Sequence, residues 1–210
     1  MEYFEVGTKK DILYWSKRLY QKGLTPATSG NISVRTKDGI LISASGVCLN
    51  DMSEDDIVLI DFDGNLLEGN KKPSSEKFLH TQIYDLRDDI NAIIHSHCPY
   101  ITSFACAAKP IKEPIMPEFV FYFDKIPLAP YALPSSMQLA INTAQYFKKS
   151  DTVLMQSHGV VAGANTLQQV FYNLESLRAY AETYFGAQVL GGVKTLNKRQ
   201  IEDIKSLKRQ

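Results

Sequence analysis

The chain has 210 residues, 44% of them hydrophobic and 22% charged, which is the composition of an ordinary globular protein and predicts one domain over residues 1–210. Its 23 basic and 23 acidic residues balance, so no net charge favours nucleic acid or an anionic membrane surface as a partner. No apolar run approaches the roughly 20 residues that span a bilayer, and the acidic start carries no secretory signal, so we expect a cytoplasmic protein.

Hydrophobic periodicity and turn residues predict a mixture of helices and short strands. Thr8 and Asp11 resemble a capping pair ahead of a helix that Gly23 ends, and Asp38-Gly39 is a strong hairpin signal between two strands. In chain order we predict a helix at 8–22, strands at 32–35, 40–43 and 57–61, a helix at 76–86, a strand at 92–95, a short helix from 99, a strand at 119–123, a helix at 135–147, a strand at 152–155, a helix at 166–190 and a basic, solvated terminal helix.

The order of these elements indicates the fold class. Hairpins mix with helices, and no repeating strand-helix-strand rhythm appears. We therefore expect an α/β protein with a mixed or mostly antiparallel sheet and helices packed on it.

Three of the four histidines lie at predicted strand ends and suggest a metal site. Alternation along a strand turns His95 and His97 to the same face, and His158 follows a second apolar run. Three neutral imidazoles can surround one transition metal, whereas the alternative is hydrogen-bonded structural histidines. Cys98 adjoins His97 but would face the other side of the strand, so we expect it to be buried and not a ligand.

Three short loops combine glycine with small hydroxyl or amide side chains, which suits an anion bound by neutral donors. One of them precedes a predicted helix, whose positively polarised start favours an anion as well. Each loop alone is weakly specific, because the same residues serve as ordinary caps and turns. The candidate binding residues are Thr28, Ser29, Gly30, Asn31, Ser45, Gly46, Ser74 and Ser75.

Glu76 stands directly after the serine pair, and together with the histidines it fits a catalytic metal site that keeps one position open. A zinc ion there would polarise a carbonyl and stabilise an enediolate, while Glu76 would alternate between ligating the metal and shuttling the proton. Imidazole and carboxylate ligands also tolerate other divalent transition metals. His80, four residues on, is a structural histidine, a partner of the site or a competing ligand.

The motifs together resemble the class II aldolase and adducin family over nearly the whole chain. The matching stretches are Thr28-Ser-Gly-Asn-Ile-Ser33, Ile42-Ser-Ala-Ser-Gly46, Lys72-Pro-Ser-Ser-Glu76, His95-Ser-His97 and Ser157-His-Gly159. The resemblance implies a three-layer α-β-α fold around a mostly antiparallel sheet, and a homotetramer with active sites at subunit interfaces. It also implies one zinc ion per subunit on His95, His97 and His158, with Glu76 as acid and base. The three loops would hold the phosphate of a small sugar substrate.

Family members divide by the bond they break, and the sequence leaves this choice open. The segment 126–132 favours the sugar-phosphate aldolases, which yield dihydroxyacetone phosphate and an aldehyde. The aldolase branch carries a catalytic tyrosine ahead of that segment. Here the corresponding stretch, Ile115-Met-Pro-Glu-Phe119, has no tyrosine, the next one being Tyr122, and the C-terminal tail has none. Dehydratase members use a glutamate near the position of Glu118, which could equally be a surface residue. Pentulose-phosphate 4-epimerases and non-enzymatic, adducin-like interaction modules are the remaining alternatives.

Overall fold

The computed structural model describes residues 7–207 as seven α-helices and eight strands. Residues 1–6 and 208–210 lie outside the described part, including Lys208 and Arg209 of the basic C-terminal segment. The helices are α1 (Lys9–Gln21), α2 (Lys77–Leu86), α3 (Pro99–Cys106), α4 (Pro117–Tyr122), α5 (Met137–Ala144), α6 (Leu167–Val189) and α7 (Lys198–Ser206). The strands are β1 (Asn31–Thr36), β2 (Gly39–Ser43), β3 (Ile57–Ile60), β4 (Leu66–Glu68), β5 (Ala92–Ser96), β6 (Leu128–Ala129), β7 (Thr152–Met155) and β8 (Gly159–Ala164).

All eight strands form one sheet in the order β4-β3-β2-β1-β5-β8-β7-β6. Every pairing is antiparallel except that of β6 with β7, so the prediction of a mostly antiparallel sheet is confirmed. The central strands β1, β5 and β8 are hydrogen-bonded on both sides. Their ends, the end of β2 and the start of α2 meet at one end of the sheet and carry the residues of the candidate site.

The sheet separates two hydrophobic cores, as expected for three layers. Alternation sends Ile94 and Val160 into a core with α1, α3 and α6, while the neighbouring Ile93 and Val161 enter a second core with α2 and α5. Burial of apolar surface on both faces is the main stabilising contribution. The α-β-α architecture is therefore confirmed.

Helix caps follow the sequence signals. The Thr8 and Thr166 side chains accept hydrogen bonds from the backbone N–H groups of Asp11 and Gln169, at the starts of α1 and α6. The predicted terminal helix is present as α7. No helix within residues 7–207 combines the length and hydrophobicity needed to cross a bilayer.

The predicted strand at 119–123 is wrong, because this segment forms helix α4. Pro117 occupies the first turn, where its fixed φ and missing N–H are tolerated. Helical spacing brings the ring centroids of Phe119 and Phe123 to 5.8 Å from each other. Phe119 also stacks on Tyr180 of α6, with the ring centroids 4.5 Å apart. The aromatic residues thus pack on a helix instead of pairing in the sheet. Strands β4, β6 and β8 were not predicted.

Candidate active site

The three histidines lie together at the end of the central strands. One nitrogen from each of His95, His97 and His158 lies within 4.8 Å of the others, and their ring centroids are 4.6 to 5.0 Å apart. His95 is the penultimate residue of β5 and His97 follows the strand directly, on the face that alternation predicted, while His158 lies in the tight turn between β7 and β8. Because β5 and β8 are adjacent in the sheet, residues 63 positions apart in sequence meet here.

The protonation of these rings suits metal binding. Burial lowers the pKa of all three imidazoles, to about 4 for His97, and the neighbouring histidines lower that of His95 further. His95 Nδ1 donates to the Val160 carbonyl at 3.0 Å, which leaves the Nε2 lone pair facing the cluster.

Two features of the cluster fit a bound cation. His97 Nε2 lies 2.8 Å from His95 Nε2, and two nitrogen lone pairs repel at this distance unless a proton or cation lies between them. The buried Nδ1 of His158 has no hydrogen-bond partner among residues 7–207. A buried polar atom without a partner is costly, so this donor set fits a divalent transition metal.

One cavity of about 160 Å³ joins the histidines to the predicted anion loops. No lysine or arginine is among the described residues that line it, so any anion there would be held by neutral donors and the start of α2. The lining residues are Thr28, Gly30, Asn31, Ala44, Ser45, Gly46, Ser74, Ser75, Glu76, His95, His97 and His158.

The sheet ladders bring these loops together. Asn31 in β1 pairs with His95 in β5, and this pairing brings the first loop, residues 28–31, close to the histidines. The Ser74 backbone N–H donates to the Ser43 carbonyl at 3.0 Å, and that of Ser45 donates to Lys72 at 2.9 Å, joining the other two loops. Gly30 is required at its position, since its φ is +78° and a Cβ would lie 2.6 Å from the His95 carbonyl oxygen.

Two of the predicted site residues lie elsewhere. The Ser29 hydroxyl donates to the Pro26 carbonyl at 2.6 Å and does not line the cavity. Glu118 is exposed in the first turn of α4, also outside the cavity, and Tyr122 at the end of that helix is 56% exposed. Cys98 is fully buried, as expected.

Glu76 lines the cavity but is held by a residue that the sequence did not indicate. Its Oε1 accepts from the Ser135 backbone N–H at 2.7 Å and from the Ser135 hydroxyl at 3.1 Å. Burial raises the pKa of the Glu76 carboxyl, and the two Ser135 hydrogen bonds act in the opposite direction. Glu76 is not part of the three-histidine cluster. Ser135 adopts a φ of +65°, and no local pattern distinguishes it from an ordinary helix start.

We expect Ser135→Gly to lower kcat by about three- to tenfold, because it removes one hydrogen bond to a charged group and keeps the backbone N–H donor. Glycine also accepts the positive φ without strain. The matched control is Ser136→Gly, which removes only the cap of α5. Steady-state kinetics on both variants is the measurement, and equal kcat values would contradict a role for the Ser135 hydroxyl.

Gly159 leaves no room for a side chain beside the histidines. A Cβ there would lie 2.6 Å from the Ser96 carbonyl oxygen and 3.2 to 3.3 Å from the rings of His97 and His95. We expect Gly159→Ala to cost about 1–3 kcal/mol of unfolding free energy through overpacking, and to lower metal occupancy. Gly163→Ala, on the same strand but facing the flexible Ile90 side chain, should keep its metal. Thermal unfolding and metal analysis of both variants check this, and full metal occupancy in Gly159→Ala would contradict it.

A sequence profile of the class II aldolase and adducin N-terminal domain matches residues 10–185. The chain belongs to this family. It is 31% identical over 198 residues to a 5-deoxy-D-ribulose 1-phosphate aldolase of Bacillus thuringiensis, covering 93% of this chain and 92% of that protein. It is 36% identical over 174 residues to an L-fuculose phosphate aldolase of Methanocaldococcus jannaschii, covering 83% of this chain and 93% of that protein.

The fold agrees with the family assignment. A solved L-fuculose 1-phosphate aldolase superimposes with a TM-score of 0.88 at 32% identity, covering 96% of each chain. Aldolases are carbon-carbon lyases, so this chain is a lyase of the class II aldolase type.

Proposed function

We propose that the protein is a zinc-dependent sugar-phosphate aldolase that cleaves a ketose 1-phosphate into dihydroxyacetone phosphate and an aldehyde. The observation that carries the proposal is the single cavity in which three neutral histidines, a buried carboxylate and a cradle of neutral donors meet. An L-fuculose-1-phosphate-like substrate is the first choice, because L-fuculose phosphate aldolases are among the relatives.

His95, His97 and His158 would hold the metal, which supplies Lewis-acid stabilisation of the negative charge that develops on substrate oxygen. Imidazole ligands also accept other divalent metals, so zinc is part of the proposal. The backbone and side-chain donors of the three loops would bind the phosphate and keep the sugar carbonyl near the histidines.

Glu76 would move the proton. When the bond between C3 and C4 breaks, the C4 hydroxyl loses a proton and the C3 carbon of the three-carbon product gains one. Oε2 is the atom available for this transfer, since Oε1 accepts both hydrogen bonds from Ser135. The raised pKa that burial gives Glu76 favours a carboxyl group that can carry a proton between the two atoms.

The homotetramer with interfacial active sites is a proposal as well. Large apolar side chains are exposed on both sides of Ser135, including Leu133 at 69% and Met137 at 43%, which is typical of a surface that a second subunit covers. A second subunit would also be the source of groups that this chain does not place in the cavity. Light scattering of the purified protein measures the subunit number.

The test is a parallel assay of L-fuculose 1-phosphate, 5-deoxy-D-ribulose 1-phosphate, methylthioribulose 1-phosphate and ribulose 5-phosphate. Each is measured before and after chelation, and again after zinc is restored. We expect cleavage of one of the first two, lost on chelation and recovered with zinc. Dehydration of the third substrate or epimerisation of the fourth would replace the aldolase proposal with the corresponding alternative. A metal-free, inactive protein would indicate an interaction module.

A further inference from the structure

We propose that Tyr84, Ser33 and His80 form a buried hydrogen-bond relay with a single direction, which holds the Asn31 side chain so that its amide N–H₂ group faces the cavity. The relay makes Asn31 a donor selective for an anionic oxygen. The inference deepens the proposed function and rests on it in one respect, namely that the cavity receives a phosphate group. None of the three relay side chains lines the cavity.

The four side chains lie in one continuous row. The Ser33 hydroxyl is 2.8 Å from the Tyr84 hydroxyl and 2.6 Å from His80 Nδ1, and His80 Nε2 contacts Asn31 Oδ1. Ser33, His80 and Tyr84 are 0% exposed, and Asn31 is 5% exposed. Helix α2 supplies two members four residues apart, and strand β1 supplies two members two residues apart, so each element presents its pair on one face.

The direction of the relay is set at Tyr84. Burial raises the pKa of the phenol, which therefore keeps its proton. Within residues 7–207, Ser33 Oγ is then the one acceptor in reach of the phenol hydrogen. Tyr84 donates to Ser33, because a buried hydroxyl hydrogen without an acceptor is costly.

The same reasoning determines the direction of the hydrogen bond between Ser33 and His80. Since Ser33 accepts from Tyr84, its own hydrogen has His80 Nδ1 as the acceptor. Complete burial lowers the pKa of His80 to about 3, so the ring is neutral and carries a single N–H. With Nδ1 accepting, that hydrogen is on Nε2, and Nε2 donates to Asn31 Oδ1.

The last step concerns Asn31, whose amide oxygen and nitrogen have nearly the same shape and can exchange places. Because His80 donates to the oxygen, the nitrogen lies at the free end of the amide. Asn31 lines the cavity, and its amide nitrogen makes no hydrogen bond to the described residues. Two N–H donors thus face a cavity that no lysine or arginine lines within residues 7–207, whereas a reversed amide would present an oxygen that repels phosphate.

The first experiment measures the tautomer of His80 by ¹⁵N NMR of histidine-labelled protein, with a His80→Gln variant to assign the signals. We expect a neutral ring protonated at Nε2 and bare at Nδ1 from pH 5 to pH 8. A proton on Nδ1, or a charged ring, overturns the relay direction. This measurement needs no substrate, so its outcome does not depend on whether the proposed function is correct.

The second experiment compares Tyr84→Phe with Tyr180→Phe, using inorganic phosphate as the probe in calorimetric titrations of the zinc-loaded protein. Tyr180 is an equally buried tyrosine that donates to the Glu113 carbonyl and does not line the cavity, so its variant controls for loss of a buried hydroxyl. We expect Tyr84→Phe to weaken phosphate binding about tenfold, since the Asn31 amide loses its enforced orientation. Tyr180→Phe should stay within about twofold of the wild type, and both variants should keep their zinc.

Equal phosphate affinity in the two tyrosine variants overturns the proposed role of the relay. Absence of phosphate binding in the wild-type protein overturns the anion part of this inference and the phosphate pocket of the proposed function. In that case the NMR result alone decides the direction of the relay. Should Tyr84→Phe not fold, the tautomer measured in the wild-type protein still decides whether the relay has the direction stated here.

Discussion

Replacing Glu76 by Gln is expected to lower kcat by about 10²–10⁴-fold while the protein keeps its metal, because the amide has the same shape but cannot transfer a proton. Glu76 lies outside the histidine cluster, and its Oε1 is held by Ser135, so the three imidazoles suffice to retain the metal in this variant. The measurements are steady-state kinetics on the sugar phosphate identified by the parallel assay and metal content of the purified variant.

Glu118→Gln is the matched control for this substitution. The chemical change is the same, but Glu118 is exposed on α4 and does not line the cavity of this chain. We expect it to leave kcat within about twofold of the wild type. Full activity of Glu76→Gln would refute the proton-transfer role, and a large loss in Glu118→Gln would instead favour the dehydratase-like arrangement with Glu118 as an acid.

Replacing His97 by Ala is expected to remove the metal and to lower kcat/KM at least about 10³-fold, because two imidazoles remain of a three-imidazole cluster and the Lewis acid is lost with the ion. Chelation of the wild-type protein should have the same effect, with one difference. Added zinc should restore the chelated wild type and not the variant. Metal analysis and activity before and after zinc addition provide the measurement.

The neighbouring cysteine supplies the control for the metal prediction. Cys98 adjoins His97 in sequence but is buried in the hydrophobic core and is not part of the three-histidine cluster, so Cys98→Ala should keep its metal and its activity. Metal loss in Cys98→Ala would mean that the thiol contributes to the site. Stoichiometric metal in His97→Ala would contradict the assignment of the three-histidine cluster.

Local sequence signals were sufficient for most helices and for the paired histidines. The Thr8 and Thr166 caps act over three or four residues, and the alternation that brings His95 and His97 to one face acts over two. The same local rules failed for 119–123, where an aromatic run is compatible with either a strand or a helix. Its helical state depends on stacking of Phe119 on Tyr180, more than 50 residues away. Strands β4 and β6, with three and two residues, are too short to leave a periodic pattern.

The residues of the candidate site were likewise predicted only in part. Residue types and the family resemblance pointed to the histidines, Glu76 and most of the loop residues that line the cavity. Ser29 was included because it shares the loop composition, but its hydroxyl is used within the loop. Ser135 was missed because its contact with Glu76 spans 59 positions and its positive φ has no signal in the residues around it.

The sequence by itself determined the chemistry available to this protein, namely imidazoles, one carboxylate beside a serine pair and loops of small donors, because these properties belong to the residue types. Only the tertiary structure decided which of them meet. Pairing of β1 with β5 places Asn31 opposite His95. Pairing of β5 with β8 brings His158 close to these two residues. Burial then sets the protonation of His80, and a long-range contact with Ser135 sets the hydrogen bonds of Glu76. Neither solvation nor a long-range contact is a property of the local sequence.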